Sequence, residues 1–207
     1  MEDKQFNVEI KDNKIILNKE LNSLDTFVIS FIKILDKLKI NYVIISGYVS
    51  ILFGRNRSSE DIDIIIEKID FLRFKDLWAE VNKNFECLNT ENPEEAYKEY
   101  LLNHTSIRFS EKKKYIPNIE LKFPNEDSNP LDLVSLKEKK LVNLNKNPLF
   151  ISPIEIQIAF KFFLGSEKDI EDALYLYEIF KNKLNISLIQ QISKKLEVKD
   201  LFDKYIK

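Results

Sequence analysis

The spacing of apolar residues changes period several times along the chain, and each change marks an element. Phe6 to Ile10 and Lys14 to Leu17 alternate around Lys11-Asp12-Asn13, which predicts a hairpin. Apolar residues at 24, 27, 28, 31, 32, 34, 35 and 38 form a helical stripe over Leu24–Leu38. Asn22 and Ser23 are its candidate caps, so the helix begins near Ser23. Tyr42 to Ile45 is an apolar, β-branched strand broken by Ser46-Gly47, and Tyr48 to Phe53 is a short helix closed by Gly54. A polar loop, Arg55 to Glu60, leads into a strand over Asp61–Glu67. The first helix is expected to pack on the sheet that these two strands form.

Phe71 to Phe85 reads as a second amphipathic helix, with Phe71, Phe74, Leu77, Trp78 and Val81 on one face and Trp78 in the core. Pro93 to Leu102 is a third, with proline in its first turn. Thr105–Phe109 and Asn118–Phe123 are strands flanking the basic turn Glu111-Lys112-Lys113-Lys114, and Lys139–Ile151 is a hairpin turning at Asn145-Lys146-Asn147. From Ser152 the pattern is helical. Ser152 caps, Pro153 opens and Glu155 supplies first-turn acid for a helix running to Phe163 and ended by Gly165. Ser166-Glu167-Lys168-Asp169 begins another helix, followed by Leu184–Leu196 and Asp200–Tyr205. Strands and helices therefore interleave over residues 1–151, an α/β domain, and a helical part over 152–207 packs on it.

Asp61 and Asp63 are where this pattern meets chemistry. Residues two apart in a strand share a face, so the two carboxylates project together, about 7 Å apart. Ile62, Ile64 and Ile66 point to the other face, and Ile65 follows the acids on theirs. A strand apolar on both faces is usually internal. Paired carboxylates at its start repel each other and are costly to desolvate unless a cation compensates. A hard divalent ion that takes oxygen ligands, such as Mg²⁺, is the natural compensator. The alternative is two acids in solvent at the strand's first residues. An EF-hand loop is excluded, because it needs polar alternation and a glycine at its sixth position. Upstream, the strand-to-helix turn at Ser46-Gly47 offers free N–H groups to an anion, and glycine permits close approach. Two of the three glycines and two of the four arginines (Arg55, Arg57) fall between residues 42 and 67.

A glycine turn followed by Asp-x-Asp on the next strand resembles the nucleotidyltransferase superfamily. The segment GYVSILFGRNRSSEDIDIII is most similar to its minimal prokaryotic branch, including the abortive-infection toxin-like nucleotidyltransferases. Arg57-Ser58-Ser59-Glu60-Asp61-Ile62-Asp63 matches that branch's Arg-x-Ser/Thr-x-Asp-Ile-Asp pattern, whereas Tyr48 stands where a small residue is commoner. Lys161, Lys168-Asp169 and Asp172 are similar to its C-terminal helix motif.

The resemblance implies an α/β (α+β) fold, a mixed sheet flanked by helices with a helical C-terminal part. It implies transfer of a nucleoside monophosphate from an NTP to an acceptor hydroxyl, with Mg²⁺ (or Mn²⁺). Asp61 and Asp63 would hold metal, and Ser46 and Gly47 would cradle phosphates. Arg57 would pair with phosphate or clamp Asp61, the alternative being a loop salt bridge. Family members carry a third carboxylate on a later strand. Glu120 lies mid-strand, opposite in facing to Ile119 and Leu121, with Lys122 on its side as a phosphate contact. An ordinary alternating edge strand is the alternative for Glu120, and Asp132 is its rival as the third carboxylate. Lys161 would contact phosphates, with Asp169 or Asp172 orienting it or lining the site. Acids at those two positions are also what a helix N-terminus favours in any protein.

Bulk composition agrees with a compact enzyme domain. The 207 residues are 44% hydrophobic, enough for a core, and the net charge of −2 does not announce a nucleic-acid partner. The single cysteine, Cys87, rules out an internal disulfide and fits a reducing, cytoplasmic setting. His104 is the one histidine, so no multi-histidine metal site exists. MEDKQFNVEI is too polar for a signal peptide, and no apolar run reaches membrane-spanning length. The acceptor stays open among tRNA, protein and small molecule, as do the base of the NTP and the oligomeric state. Two other classes compete with the enzyme: a non-catalytic nucleotide-binding or antitoxin-type partner with the same fold, and a purely structural interaction module.

Overall fold

The computed structural model describes residues 8–11, 14–125, 127 and 129–206. In chain order the first half comprises β1 (Val8–Lys11), β2 (Lys14–Leu17), α1 (Ser23–Lys37), β3 (Tyr42–Ile44), α2 (Gly47–Leu52), β4 (Asp61–Ile66), α3 (Phe71–Val81), β5 (Phe85–Cys87) and α4 (Pro93–Glu95). The second half comprises β6 (Ile107–Glu111), β7 (Asn118–Lys122), α5 (Leu131–Lys137), β8 (Lys140–Leu144), β9 (Asn147–Ile151), α6 (Ile154–Leu164), α7 (Glu167–Phe180), α8 (Ile186–Lys195) and α9 (Lys199–Tyr205).

Among the described residues, nine strands form one mixed sheet in the order β1-β2-β8-β9-β3-β4-β7-β6-β5. β4 lies inside it, antiparallel to β3 and parallel to β7. That placement satisfies a strand with apolar residues on both faces. Ile62, Ile64 and Ile66 enter the main core with Phe27, Phe31 and Phe109. Ile65 joins Val43, Ile45 and Leu136 of α5 in a small cluster on the opposite face. The acids share that second face, which α5 covers at the Ile65 end. The main core continues without a break into α6 to α9 through Phe162, Leu176, Ile189 and Phe202. No helix among the described residues is long and apolar enough to cross a membrane.

The N-terminal hairpin is present as β1 and β2, with Val8 opposite Leu17; residues 6, 7, 12 and 13 lie outside the described residues. The first helix begins as expected. Asn22 caps it by accepting from Asp25 N–H at 2.8 Å, and Asp25 Oδ2 accepts from Asn22 N–H at 3.1 Å. Gly165 ends α6 at φ +71°. Trp78 is in the core, its ring 5.8 Å from that of Phe109.

Three expectations are corrected. Helix α3 stops at Val81 instead of Phe85, and Phe85 opens edge strand β5 opposite Glu111. Phe85 keeps the apolar spacing of the helix because it serves the same core, its ring 5.3 Å from that of Phe31. The helix from Pro93 is α-helical only to Glu95, then π-helical over Ala96–Tyr100 and 3-10 over Leu101–Asn103. Ser152 does not cap α6; its hydroxyl bonds that of Ser135 on α5 at 2.9 Å, and Pro153 takes the cap position. Helix α5 was not anticipated.

Candidate active site

β4 brings Asp61 and Asp63 to the end of the sheet at which β3 terminates. The register places Asn118 beside Asp61, Glu120 beside Asp63 and Lys122 beside Ile65. Asp61, Asp63, Glu120 and Lys122 therefore share one face. Asp61 is exposed and accepts from the Ser59 hydroxyl at 3.3 Å. Asp63 is half-buried. Burial pushes its carboxyl up to about 6, helped by the negative charges of Glu120 and Asp61 and opposed by Lys122 and a hydrogen bond from Ser46. Glu120 is turned toward Arg108, its cross-strand neighbour on β6, whose Nε and Nη2 both lie 2.7 Å from Glu120 Oε1.

The turn that carries Ser46 is built from distant sequence. Ser46 sits at φ +63°, ψ −137°, a backbone that costs a side-chain-bearing residue about 1–3 kcal/mol. Two bonds hold it there: its hydroxyl to Asp63, and its N–H to Gln157 Oε1 of α6 at 3.1 Å. Gln157 is buried and was not singled out in the sequence. A Gln157→Ala variant is expected to lose about 1–3 kcal/mol in urea unfolding, because the Ser46 N–H loses its partner; a midpoint equal to wild type would remove Gln157 from the turn's support.

Gly47 has a steric reason to be glycine. A Cβ there would lie 2.4 Å from Arg57 Nη2 and 3.3 Å from Ser59 Oγ. The space above the turn is thus where the Arg57 guanidinium sits. Helix α2 behind it has only six residues, so the turn's dipole is short. Tyr48, the departure from the family pattern, does not crowd the turn. It is fully buried, and its hydroxyl donates to Asp25 Oδ1 at 2.8 Å, with Lys19 pairing the same carboxylate at 2.9 Å. Burial and the Asp25 charge hold the Tyr48 phenol well above its ordinary value.

Arg57 does not clamp Asp61. Its Nε and Nη2 reach Asp172 Oδ1 and Oδ2 at 3.1 and 2.8 Å, a bidentate pair. Lys161 Nζ approaches Asp172 Oδ2 at 2.8 Å and Asp169 Oδ1 at 3.2 Å. Arg55 Nε stands 3.6 Å from Asp172. Burial would raise Asp172, but the bonds and charges of Lys161 and Arg57 outweigh it and hold the carboxyl below its ordinary range. Lys161 is 1% exposed, so its ammonium is enclosed by these acids instead of presented to solvent. Asp169 also bonds the Ser166 hydroxyl at the start of α7. Asp132, on the first turn of α5, accepts from Asn129 Nδ2 at 2.6 Å and lies 3.6 Å from Lys122 Nζ.

The donor set fits a divalent cation in part. Asp61 and Asp63 offer oxygen ligands on one face, and the raised Asp63 carboxyl reports negative charge that a cation would relieve. Glu120 is engaged by Arg108, and no group of three or more His, Cys, Asp or Glu among the described residues is arranged as a ready metal site.

No protein-family model and no curated protein sequence matches the chain. Solved structures do. An antigenic nucleotidyltransferase-like protein from Paracoccidioides brasiliensis superposes with a TM-score of 0.54 at 18% identity, over 89% of this chain and 93% of that one. ANT(2'')-Ia in complex with adenylyl-2''-tobramycin superposes with a TM-score of 0.54 at 12% identity, over 85% and 98% of the two chains. The solution structure of the antibiotic-resistance factor ANT(2'')-Ia gives 0.52 at 12% identity over 86% and 94%. The chain has a nucleotidyltransferase-like fold with a helical C-terminal part.

Proposed function

We propose that the protein is a metal-dependent nucleotidyltransferase that moves a nucleoside monophosphate from an NTP to an acceptor hydroxyl. The observation that carries this is one face of β4 and β7, where Asp61, Asp63 and Glu120 stand beside the Ser46-Gly47 turn within that fold. One structural neighbour holds an adenylylated aminoglycoside, a product of this kind. In the reaction the acceptor oxygen bonds the α-phosphorus, the bond to the β-phosphate oxygen breaks, pyrophosphate leaves, and the hydroxyl proton passes to a base. Asp61 and Asp63 would hold Mg²⁺ or Mn²⁺, which supplies charge neutralisation of the triphosphate and a lower pKa for the attacking hydroxyl.

Glu120, once free of Arg108, would help hold the metal or take the proton. Lys122 stands on the same face for phosphate. Gly47 gives room to the Arg57 guanidinium above the turn that Ser46 fixes, and Arg57 would exchange part of its Asp172 pairing for the β- and γ-phosphates there. Lys161, Asp169 and Asp172 set the position of Arg57 from behind. A cytoplasmic location and membership of the abortive-infection-like branch, in a toxin–antitoxin setting, belong to the same reading. The Arg108–Glu120 pair favours a second reading, a non-catalytic nucleotide-binding or antitoxin-type partner of the same fold.

Incubation with each labelled NTP, Mg²⁺ and total cell extract is expected to label one acceptor fraction, and calorimetry to show NTP binding that weakens sharply in EDTA. Binding without labelling selects the second reading, and no heat from any NTP with metal present removes both. Glu120→Gln is expected to abolish transfer while Asp132→Asn retains most of it, and the reverse would move the third carboxylate to α5.

A further inference from the structure

We infer that the cavity walled by α5, α6 and α8 is a regulatory site for a small amphiphilic anion, an alkyl chain with a carboxylate head. On the nucleotidyltransferase reading, that occupant also tunes the Ser46-Gly47 turn.

The cavity encloses about 540 Å³, within the range of small-molecule sites. Its walls are apolar: Leu131 and Val134 of α5, Pro153 and Ile156 of α6, and Leu188 and Ile192 of α8. Val134 is 42% exposed and Leu188 37%, so the helices leave apolar surface unfilled between them. A smaller cavity of about 200 Å³, lined by Ile15, Ile154 and Phe180, shares Lys140 and Glu155 with the first, so the two adjoin. None of Ser46, Gly47, Asp61, Asp63 or Glu120 lines either one.

Charge at the rim selects the head group. Lys140, Lys183 and Lys195 line the two cavities, and none enters an ion pair among the described residues. The acids beside them are Glu138 and Glu155, and Glu155 Oε1 already accepts from Asn185 N–H at 3.1 Å. The rim therefore has cation to spare around an apolar body. An alkyl carboxylate satisfies both. Its chain covers the helix faces, and its head meets Lys140, where the cavities adjoin. An alkylammonium meets three lysines instead, and a wholly polar metabolite leaves the walls uncovered.

The walls also reach the catalytic face. Asp132 follows Leu131 in α5; it is buried and lies 3.6 Å from Lys122 Nζ. Gln157 follows Ile156 in α6, and its Oε1 accepts from the Ser46 N–H at 3.1 Å. Each wall thus carries, one residue on from a side chain that lines the cavity, a group that positions the site. A chain packed between α5 and α6 fixes the spacing of those two groups. Linkage makes the effect reciprocal between the two ligands.

The test is calorimetry on the full chain with decanoate below its micelle concentration and decylammonium as the charge control. Decanoate is expected to bind about tenfold more tightly than decylammonium, the difference made by one charge-assisted contact. Lys140→Glu is expected to reverse that preference, and Leu188→Trp, which fills the cavity, to abolish decanoate binding. Both variants are expected to keep wild-type melting, and wild-type NTP affinity without decanoate, because neither residue lies on the catalytic face. Saturating decanoate is expected to raise NTP affinity about fivefold, with the same factor on decanoate affinity when NTP is present, and to leave Leu188→Trp unaffected. Decanoate that fails to bind, binds no better than decylammonium, or binds Leu188→Trp as it binds wild type overturns the inference. Decanoate binding that leaves NTP affinity unchanged overturns the regulatory role. Transfer of label from NTP to decanol, blocked by Leu188→Trp, would make the cavity an acceptor site and overturn that role as well. A wild-type dimer in light scattering that Leu188→Trp dissolves would assign the cavity to a second copy of the chain and overturn the inference. Wild type that binds decanoate but no NTP removes the enzyme reading and the regulatory role with it, while the anion site stands.

Discussion

Replacing Asp172 with alanine is expected to destabilise the protein by about 3–5 kcal/mol, the cost of stranding buried charge whose partner has been removed. The Asp172 side chain is fully buried and takes the Arg57 fork on one edge and Lys161 on the other. Without it, the ammonium of Lys161 keeps only Asp169, at 3.2 Å, and Arg57 has no carboxylate opposite Gly47. Glu171→Ala is the control. Glu171 pairs with Arg55 but is 55% exposed, so its loss should cost no more than about 1 kcal/mol. Urea unfolding with an unchanged slope measures both. Acid gives a second signature. The folded Asp172 carboxyl is held below its ordinary value of 3.8, so its contribution is complete above that pH and is lost as pH falls through the folded value. The variant should lack that part of the acid transition. A variant within about 1 kcal/mol of wild type would mean that the cluster does not carry the contact between α7 and the Arg55–Glu60 loop.

The same cluster shows where sequence reading reaches and where it stops. β4 is legible because its isoleucines answer to two faces at once and its acids break the pattern at the only two positions that do. α1 and α7 are legible because Asn22 and Ser166 cap locally, with their partners three residues on. Arg57 and Asp172 are 115 residues apart, and Ser46 and Gln157 are 111 apart, so no local period connects them. A buried glutamine beside apolar neighbours on α6 was the one available hint. Phe85 misled because helix and strand fed the same core at the same spacing. Ser152 misled because Ser-Pro before an acidic turn has a local meaning, while its actual partner, Ser135, sits on a helix whose seven residues are too few to show a stripe. Tyr48 departed from the family pattern for a reason visible only in three dimensions, its hydrogen bond to Asp25.

Asp63→Asn is expected to melt at or above wild type in EDTA, although it removes a group to which the proposed reaction assigns the metal. Burial, Glu120 and Asp61 raise the folded Asp63 carboxyl from 3.8 to about 6. Between those values the folded state binds a proton that the unfolded state does not, so the contribution of this group to stability falls as pH rises through the window. Below about pH 4 both states are protonated and the two proteins should be alike. Above about pH 6 wild type carries the full penalty, roughly 1–3 kcal/mol from a shift of about two units. The mutant, neutral throughout, does not. Its advantage should therefore open between pH 4 and 6 and then stay level. Metal reverses the order. A cation that binds only the folded state stabilises by mass action, about 2.7 kcal/mol at a hundred times its Kd. Wild type at pH 7 should gain melting temperature on adding Mg²⁺ or Mn²⁺, the mutant should gain little, and labelled transfer by the mutant should fall below detection. Thermal melts across pH 4 to 8, with EDTA and with metal, contain the whole test. Curves that overlay for the two proteins at every pH and in both buffers would make Asp63 an ordinary surface acid, and the carboxylate face of β4 and β7 would hold no cation.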